Sequence, residues 1–128
     1  MNPLTAEWVA KAESDLTSAL REWRARKAPN YDAACFHAQQ CAEKYLKALL
    51  QEKGITFGKT HNLVSLLDVL LPSEPTWTGI RDDLRTLSEY AVDFRYPGAY
   101  ATKQNAQMAI AICRDVRQRV RASLALAP

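Results

Sequence analysis

The sequence predicts an all-α fold: an antiparallel up-down helical bundle of four main helices plus one short helix, in a single domain over residues 1–128. Three observations carry that expectation. Apolar residues recur at three- and four-residue steps through the long segments, and no stretch alternates apolar with polar residues over the length of a strand. Only 4 glycines interrupt a chain rich in Ala, Leu, Arg, Lys, Gln and Glu, the residues that favour helix. The connections are a few residues each, which makes consecutive helices neighbours that run in opposite directions. A chain of 128 residues is long enough for one hydrophobic core and too short for two.

Each element has a local reason. From Trp8 to Trp23, the residues Val9, Ala12, Leu16, Ala19 and Leu20 form one buried helical stripe. Pro29 and Asn30 close the Arg/Lys-rich stretch that follows, and Asn30 is placed to cap a second helix from Tyr31 to about Lys53. Gly54 suits the left-handed residue at its end. After a loop of residues 55–60, Thr60 is expected to cap a short third helix, His61 to Leu71, stopped by Pro72. A fourth helix is expected from about Thr78, with Ile80, Leu84, Leu87, Ala91 and Phe94 inward, and it ends at Arg95-Tyr96-Pro97-Gly98. The fifth, from about Thr102 to Leu126, carries Ala106, Ala109, Ile110, Cys113, Val116, Val120 and Leu124 on one stripe.

Composition narrows the class. A hydrophobic share of 48% with 24% charged residues is that of an ordinary globular domain, which argues against disorder or a fibre. The longest apolar run, around Leu63 to Leu71, is broken by Ser65 and Asp68 and falls short of the ~20 residues a membrane span needs. The first residues lack the basic and apolar regions of a signal peptide, so a cytoplasmic location without membrane attachment is expected. Cys35, Cys41 and Cys113 are odd in number, without a CxxC pair, so neither a disulfide framework nor a zinc site is expected.

A net charge of +3 is mild, and its distribution is more informative. Arg21, Arg24, Arg26 and Lys27 crowd the end of the first helix, and Arg114, Arg117, Arg119 and Arg121 crowd the last. Compensation of the helix dipole on a solvated face accounts for both clusters, with phosphate contact as the alternative.

The polar features that could bear chemistry lie on three segments. On the second helix Gln40, Lys44, Lys47 and Gln51 fall opposite Ala34, Ala38, Cys41, Ala42, Tyr45 and Leu49, with His37 at the border, so the stripe is expected to face mostly solvent, with Glu43 and Lys47 as an ordinary i,i+4 ion pair. His61 stands at the start of the third helix, where it could cap, stack or bind phosphate, or serve only structure. Arg95 and Tyr96 sit beside Asp93 at a bend made by Pro97 and Gly98, where an arginine could grip phosphate or tie the turn to a neighbouring helix. No Gly-rich phosphate loop, nucleophile elbow or metal-ligand cluster is visible, and no cofactor is expected.

The string from Phe36 through His37, Gln39, Gln40, Glu43, Lys44 and Lys47 to Leu50 resembles the second-helix signature of HEPN domains, the prokaryotic and eukaryotic nucleotide-binding helical family. Thr60-His61-Asn62-Leu63, Asp93-Phe94-Arg95-Tyr96-Pro97-Gly98 and the opening Trp8, Asp15, Leu16 and Ala19 extend the resemblance over nearly the whole chain. It implies a helical bundle that works as a homodimer and pairs with a minimal nucleotidyltransferase in a toxin–antitoxin-like system. Some members are metal-independent RNases whose motif is an arginine followed, after four to six residues, by a histidine. Arg95 holds the arginine position, while Tyr100, Ala101 and Thr102 stand where the histidine would be. A tyrosine, with a pKa near ~10, is a poor general base at pH 7.

The expectation is therefore a non-catalytic or weakly catalytic component that binds a nucleotide or a partner, with Arg95, Tyr96, His37, Gln40, Lys44, Lys47 and His61 as the contacts. The alternatives are an RNA endonuclease toxin, using Arg95 with Tyr100 or with a histidine supplied by the fold, and a plain helical interaction module.

Overall fold

The structure, a computed structural model, describes residues 1–128 and contains α-helices and one 3-10 helix, with no strand. The helices are α1 (Pro3–Arg24), α2 (Tyr31–Lys53), α3 (Leu63–Leu70), α4 (Arg81–Asp93) and α5 (Lys103–Ser123). A 3-10 helix, Pro75–Ile80, leads into α4.

Capping chemistry sets most of the boundaries. Asn2 Oδ1 accepts from the Leu4 amide at 2.8 Å with Pro3 in the first helical position, so α1 begins a turn earlier than its apolar stripe. Asn30 caps α2 through the Ala33 amide at 2.9 Å, and Gly54 ends it at φ +68°, a conformation that disfavours a side chain. Thr102 and Asn105 form a reciprocal capping box at the start of α5.

Two boundaries depart from the sequence expectation. The cap of α3 is Asn62 rather than Thr60, its Oδ1 accepting from Val64 and Ser65 at 3.0 and 3.2 Å. His61 therefore precedes the helix, and its ring is turned back onto Glu43 of α2. The segment from Thr78 is not yet α-helix, because the Pro75 turn forms a 3-10 helix that buries Trp77 and Ile80 as an anchor before α4 begins at Arg81.

The main helices alternate in direction. The start of α1 meets the end of α2 where the Asn2 amide donates to Glu52 Oε1 at 2.9 Å. The start of α5 lies beside the start of α2, where the Ala101 amide donates to Asp32 Oδ1 at 2.7 Å, and Arg121 reaches Tyr45 farther along both. Helix α2 is the centre of the bundle and touches α1, α3, α4 and α5.

That position changes the character of α2. It buries residues on every side, including Ala34, Ala38, Cys41 and Leu49 on the expected face, but also Gln39, Glu43 and Lys47. The 29-residue core includes Tyr45, Leu46, Leu50, Leu66, Leu67, Leu84, Leu87, Val116 and Val120. All three cysteines are reduced and buried. Burial pushes the Cys35 thiol up to about 12, and a hydrogen bond with Cys113, together with burial, raises Cys41 well above the ordinary thiol range. No helix is long and apolar enough to cross a membrane.

Candidate functional site

The site is built outward from one buried carboxylate. Glu43, with a side chain only 4% exposed, holds Lys47 Nζ at 3.1 Å through one oxygen and His61 Nδ1 at 2.9 Å through the other. Gln39 Nε2 donates to Glu43 at 3.2 Å and to the His61 carbonyl at 3.0 Å, which fixes the loop before α3 against α2. Lys47, itself 7% exposed in the side chain, also lies 5.7 Å from the centroid of the Trp8 ring. The Glu43–Lys47 pair is thus an interior pair, and the expectation of a solvent-facing stripe fails here. A helix enclosed on all sides has no wet face for that stretch.

A carboxylate can only accept, so the Glu43 contact places the proton of a neutral His61 on Nδ1 and leaves Nε2 as a free acceptor. The His61 side chain is 79% exposed. It stands at the edge of a cleft of about 450 Å³ between α2, the loop before α3, and α4. Phe36, Gln39 and Gln40 line it from α2, Asn62 from the α3 cap, and Ser88, Ala91 and Val92 from α4, with Arg95 at the exit of α4.

Arg95 lies 6.0 Å over the Phe36 ring and belongs to none of the ion pairs. Its bidentate donor face has no carboxylate to spend itself on. Gln40 Nε2 donates to Gln39 Oε1 at 2.8 Å, so the two amides that line the cleft are linked in one hydrogen-bonded row to the Glu43 carboxylate behind them. The combination offers a cation, amide groups, an imidazole acceptor and an aromatic wall in one concave space.

The other polar residues of α2 turn toward α1. Asp15, 9% exposed, accepts from Lys44 Nζ at 2.5 Å and meets His37 Nδ1 at 2.9 Å. Glu13 takes a two-point grip from Arg117, at 2.8 and 2.9 Å, and accepts from the Tyr45 hydroxyl at 2.7 Å, while Arg121 donates to that hydroxyl at 3.2 Å. Arg117 and Arg121 are thus drawn inward to join α5 to α1 and α2, in place of the solvated face expected of that cluster.

The Arg117 hydrogen bonds hold the Glu13 carboxyl below the ordinary glutamate range; burial opposes them and the Tyr45 hydroxyl adds to them. A carboxyl whose pKa falls on folding stabilises the fold above its unfolded value of ~4.3, and that contribution disappears as pH drops through the lowered folded value. The urea-measured stability gap between the wild type and Glu13→Gln should be present at pH 7 and close below about pH 4. A gap independent of pH would show that the carboxylate charge does not carry this contact.

Of the residues singled out from sequence, the cleft brings together Gln40, His61 and Arg95. His37 and Lys44 are engaged by Asp15, and Lys47 is interior. Tyr96 and Tyr100 are 63% and 77% exposed on the segment after α4 and do not line the cleft. Sequence reasoning passed over Asn62 and Ser88 as site residues, and over Asp15 as the anchor of His37 and Lys44. A signal for Asp15 existed: it falls three residues after Ala12 and four before Ala19, on the buried stripe of α1, where a lone acid requires a partner.

Comparison with known proteins agrees with this architecture. The structure is similar to TT1696 from Thermus thermophilus, with a TM-score of 0.80 at 22% identity over 92% of this chain and 96% of that one. It is also similar to ST0689, described as an archaeal HEPN homologue, with a TM-score of 0.75 at 29% identity over 93% of this chain and 96% of that one. No curated protein matches. The family model of the HEPN domain matches residues 5–123, and the chain belongs to that family.

Proposed function

We propose that this HEPN protein is a non-catalytic or weakly catalytic component of a pair with a minimal nucleotidyltransferase, that it works as a homodimer in the cytoplasm, and that its α2–α4 cleft takes a nucleotide-like ligand. The observation that carries the ligand reading is Arg95: a cation without a carboxylate partner, at the mouth of a cleft that also presents Gln40, His61 and Phe36. Arg95 would hold phosphate through two parallel N–H donors, Gln40 and Asn62 would read polar edges of a base, and Phe36 would supply an apolar wall. Tyr96, on the same exit turn though outside the cleft lining, would stack on or hydrogen-bond a part of the ligand that projects from it.

Isothermal titration with nucleotides tests this reading. Arg95→Ala should weaken binding at least tenfold, about 1.4 kcal/mol, and Gln40→Ala by a few-fold. Binding unchanged in Arg95→Ala would remove the proposed site. The pairing predicts a minimal nucleotidyltransferase gene adjacent to this one and is tested by coexpression of the two; absence of such a gene, or failure of the two proteins to copurify, would end that version.

A second reading, metal-independent RNA cleavage, is favoured by one observation: His61, held by Glu43 with Nε2 free, shares the cleft with Arg95. A histidine from the α2–α3 loop would then take the 2′-hydroxyl proton, in place of the one missing from the segment after Arg95, while Arg95 stabilises the phosphorane; as the P–O5′ bond breaks to leave a 2′,3′-cyclic phosphate, water protonates the departing 5′-oxygen. In the same preparation, RNA cut without added metal should survive intact with His61→Ala and with Arg95→Ala. Cleavage that persists in both, or that is lost in Tyr100→Phe instead, would sink this version.

A further inference from the structure

The Arg24–Lys27 cluster at the end of α1 is not used by the cleft just described. Helix α1 stops at Arg24 because Ala25 turns to an extended conformation, φ −59° and ψ 130°, and the chain then bends through Ala28 at φ +46° before Asn30 caps α2. This turn faces the first residue of α5, and between them lies a pocket of about 620 Å³. Its walls are Trp23 and Tyr31, both half-buried, and its rim carries Arg24, Arg26 and Lys103.

The charge there is of one sign. None of the three cations belongs to any of the ion pairs. No carboxylate lines the pocket, and Asp32, one residue beyond Tyr31, turns an oxygen to the Ala101 amide at 2.7 Å and pairs with none of these cations.

A second observation concerns Trp23. Its indole Nε1 is buried without a hydrogen-bond partner, one of only two side-chain atoms in the molecule left in that state. The nitrogen itself is shut off from solvent, so it is the ring of Trp23, not its donor, that a ligand in the pocket would meet. Helix-dipole compensation explains Arg24, in the last turn of α1, but neither Arg26, which follows the helix, nor Lys103, which begins one.

We infer that this pocket is a second ligand site, separate from the Arg95 cleft, for a nucleotide unit with at least two phosphates, the phosphates on Arg24, Arg26 and Lys103 and the base against Trp23 and Tyr31. Three cations around one pocket exceed what a single phosphate neutralises. Aromatic walls beside a cationic rim are the pairing by which flat bases and their backbones are held without sequence preference. The volume lies within the ~300–1,000 Å³ typical of small-ligand sites. The chemistry is shared by a free nucleoside diphosphate and by two successive nucleotides of an RNA strand.

The test uses the full chain with Arg95→Ala as background, so that the cleft does not contribute and the two sites fail or succeed separately. ADP, pyrophosphate, adenosine and a fluorescent tetrauridylate are titrated by calorimetry or anisotropy, while the Trp23 indole signal, assigned through Trp23→Phe, is followed by NMR. ADP should bind more tightly than pyrophosphate or adenosine and shift the Trp23 signal. Adding Arg26→Ala and Lys103→Ala, both exposed positions whose loss leaves the core intact, should weaken binding at least tenfold and flatten its salt dependence. Tetrauridylate binding more tightly than ADP identifies a strand as the source, and the reverse identifies a free nucleotide. Pyrophosphate binding as well as ADP, an unmoved Trp23 signal, or affinity unchanged in the double substitution would each overturn the assignment.

Discussion

Glu43→Ala is expected to lower stability by about 3–5 kcal/mol, because it leaves the Lys47 ammonium in the interior without its counter-charge. The loss is not that of a surface pair, which would be ~0.2–1 kcal/mol. Lys47 cannot swing into water from a position where its side chain is 7% exposed, and Gln39 and His61 lose the acceptor that fixes them. For a domain whose total stability is on the order of 5–15 kcal/mol, the substitution removes a large fraction. The double variant Glu43→Leu/Lys47→Met should recover most of it, since apolar residues of similar volume remove the desolvation penalty together with the attraction. Urea unfolding checks both, and a loss below about 1 kcal/mol in Glu43→Ala, the range of an exposed pair, would show that water reaches the two charges.

Leu87→Ala is expected to cost about 3–5 kcal/mol, and its effect on the cleft should exceed that of any substitution on α2 of the same size. Leu87 is fully buried, and removing its side chain loses both transfer energy and the packing around the resulting cavity. Helix α4 has 13 residues, of which Leu84, Leu87 and Ala91 are buried, and Leu87 is the middle one of these three holding it to the core. That helix supplies Ser88, Ala91 and Val92 to the cleft and delivers Arg95. Hydrogen exchange should show α4 amides losing protection before those of α1 and α2. Uniform loss across the bundle would show that α4 and the α1–α2 pair unfold together.

What could be foreseen from the sequence divides along the range of the interaction. The α1 and α5 stripes, the Asn30 cap and the Gly54 terminus rest on neighbours within a turn or two, and they stand as expected. The start of α3 shifted by two residues because Thr60 and Asn62 are both suited to capping and only the Asn62 geometry closes on Val64 and Ser65. The inward turn of Arg117 rests on Glu13, 104 residues away, and no local period reveals such a partner. The polar stripe of α2 failed for a related reason. A hydrophobic pattern distinguishes two faces of a helix, whereas α2 meets neighbours all around, and its buried charges became legible only once Asp15, His61 and Trp8 were seen beside them. For the site, Gln40, His61 and Arg95 were identified as residues, but their convergence belongs to the tertiary fold.

The three cysteines have a use that concerns time rather than structure. Only the thiolate attacks disulfide or alkylating reagents, and burial with raised pKa withholds that form from Cys35 and Cys41 while the bundle is closed. Cys35 and Cys41 lie on α2 and Cys113 on α5, so labelling of any of them records an excursion in which the centre of the molecule opens. The chain carries an internal clock of its own breathing, readable without an added probe.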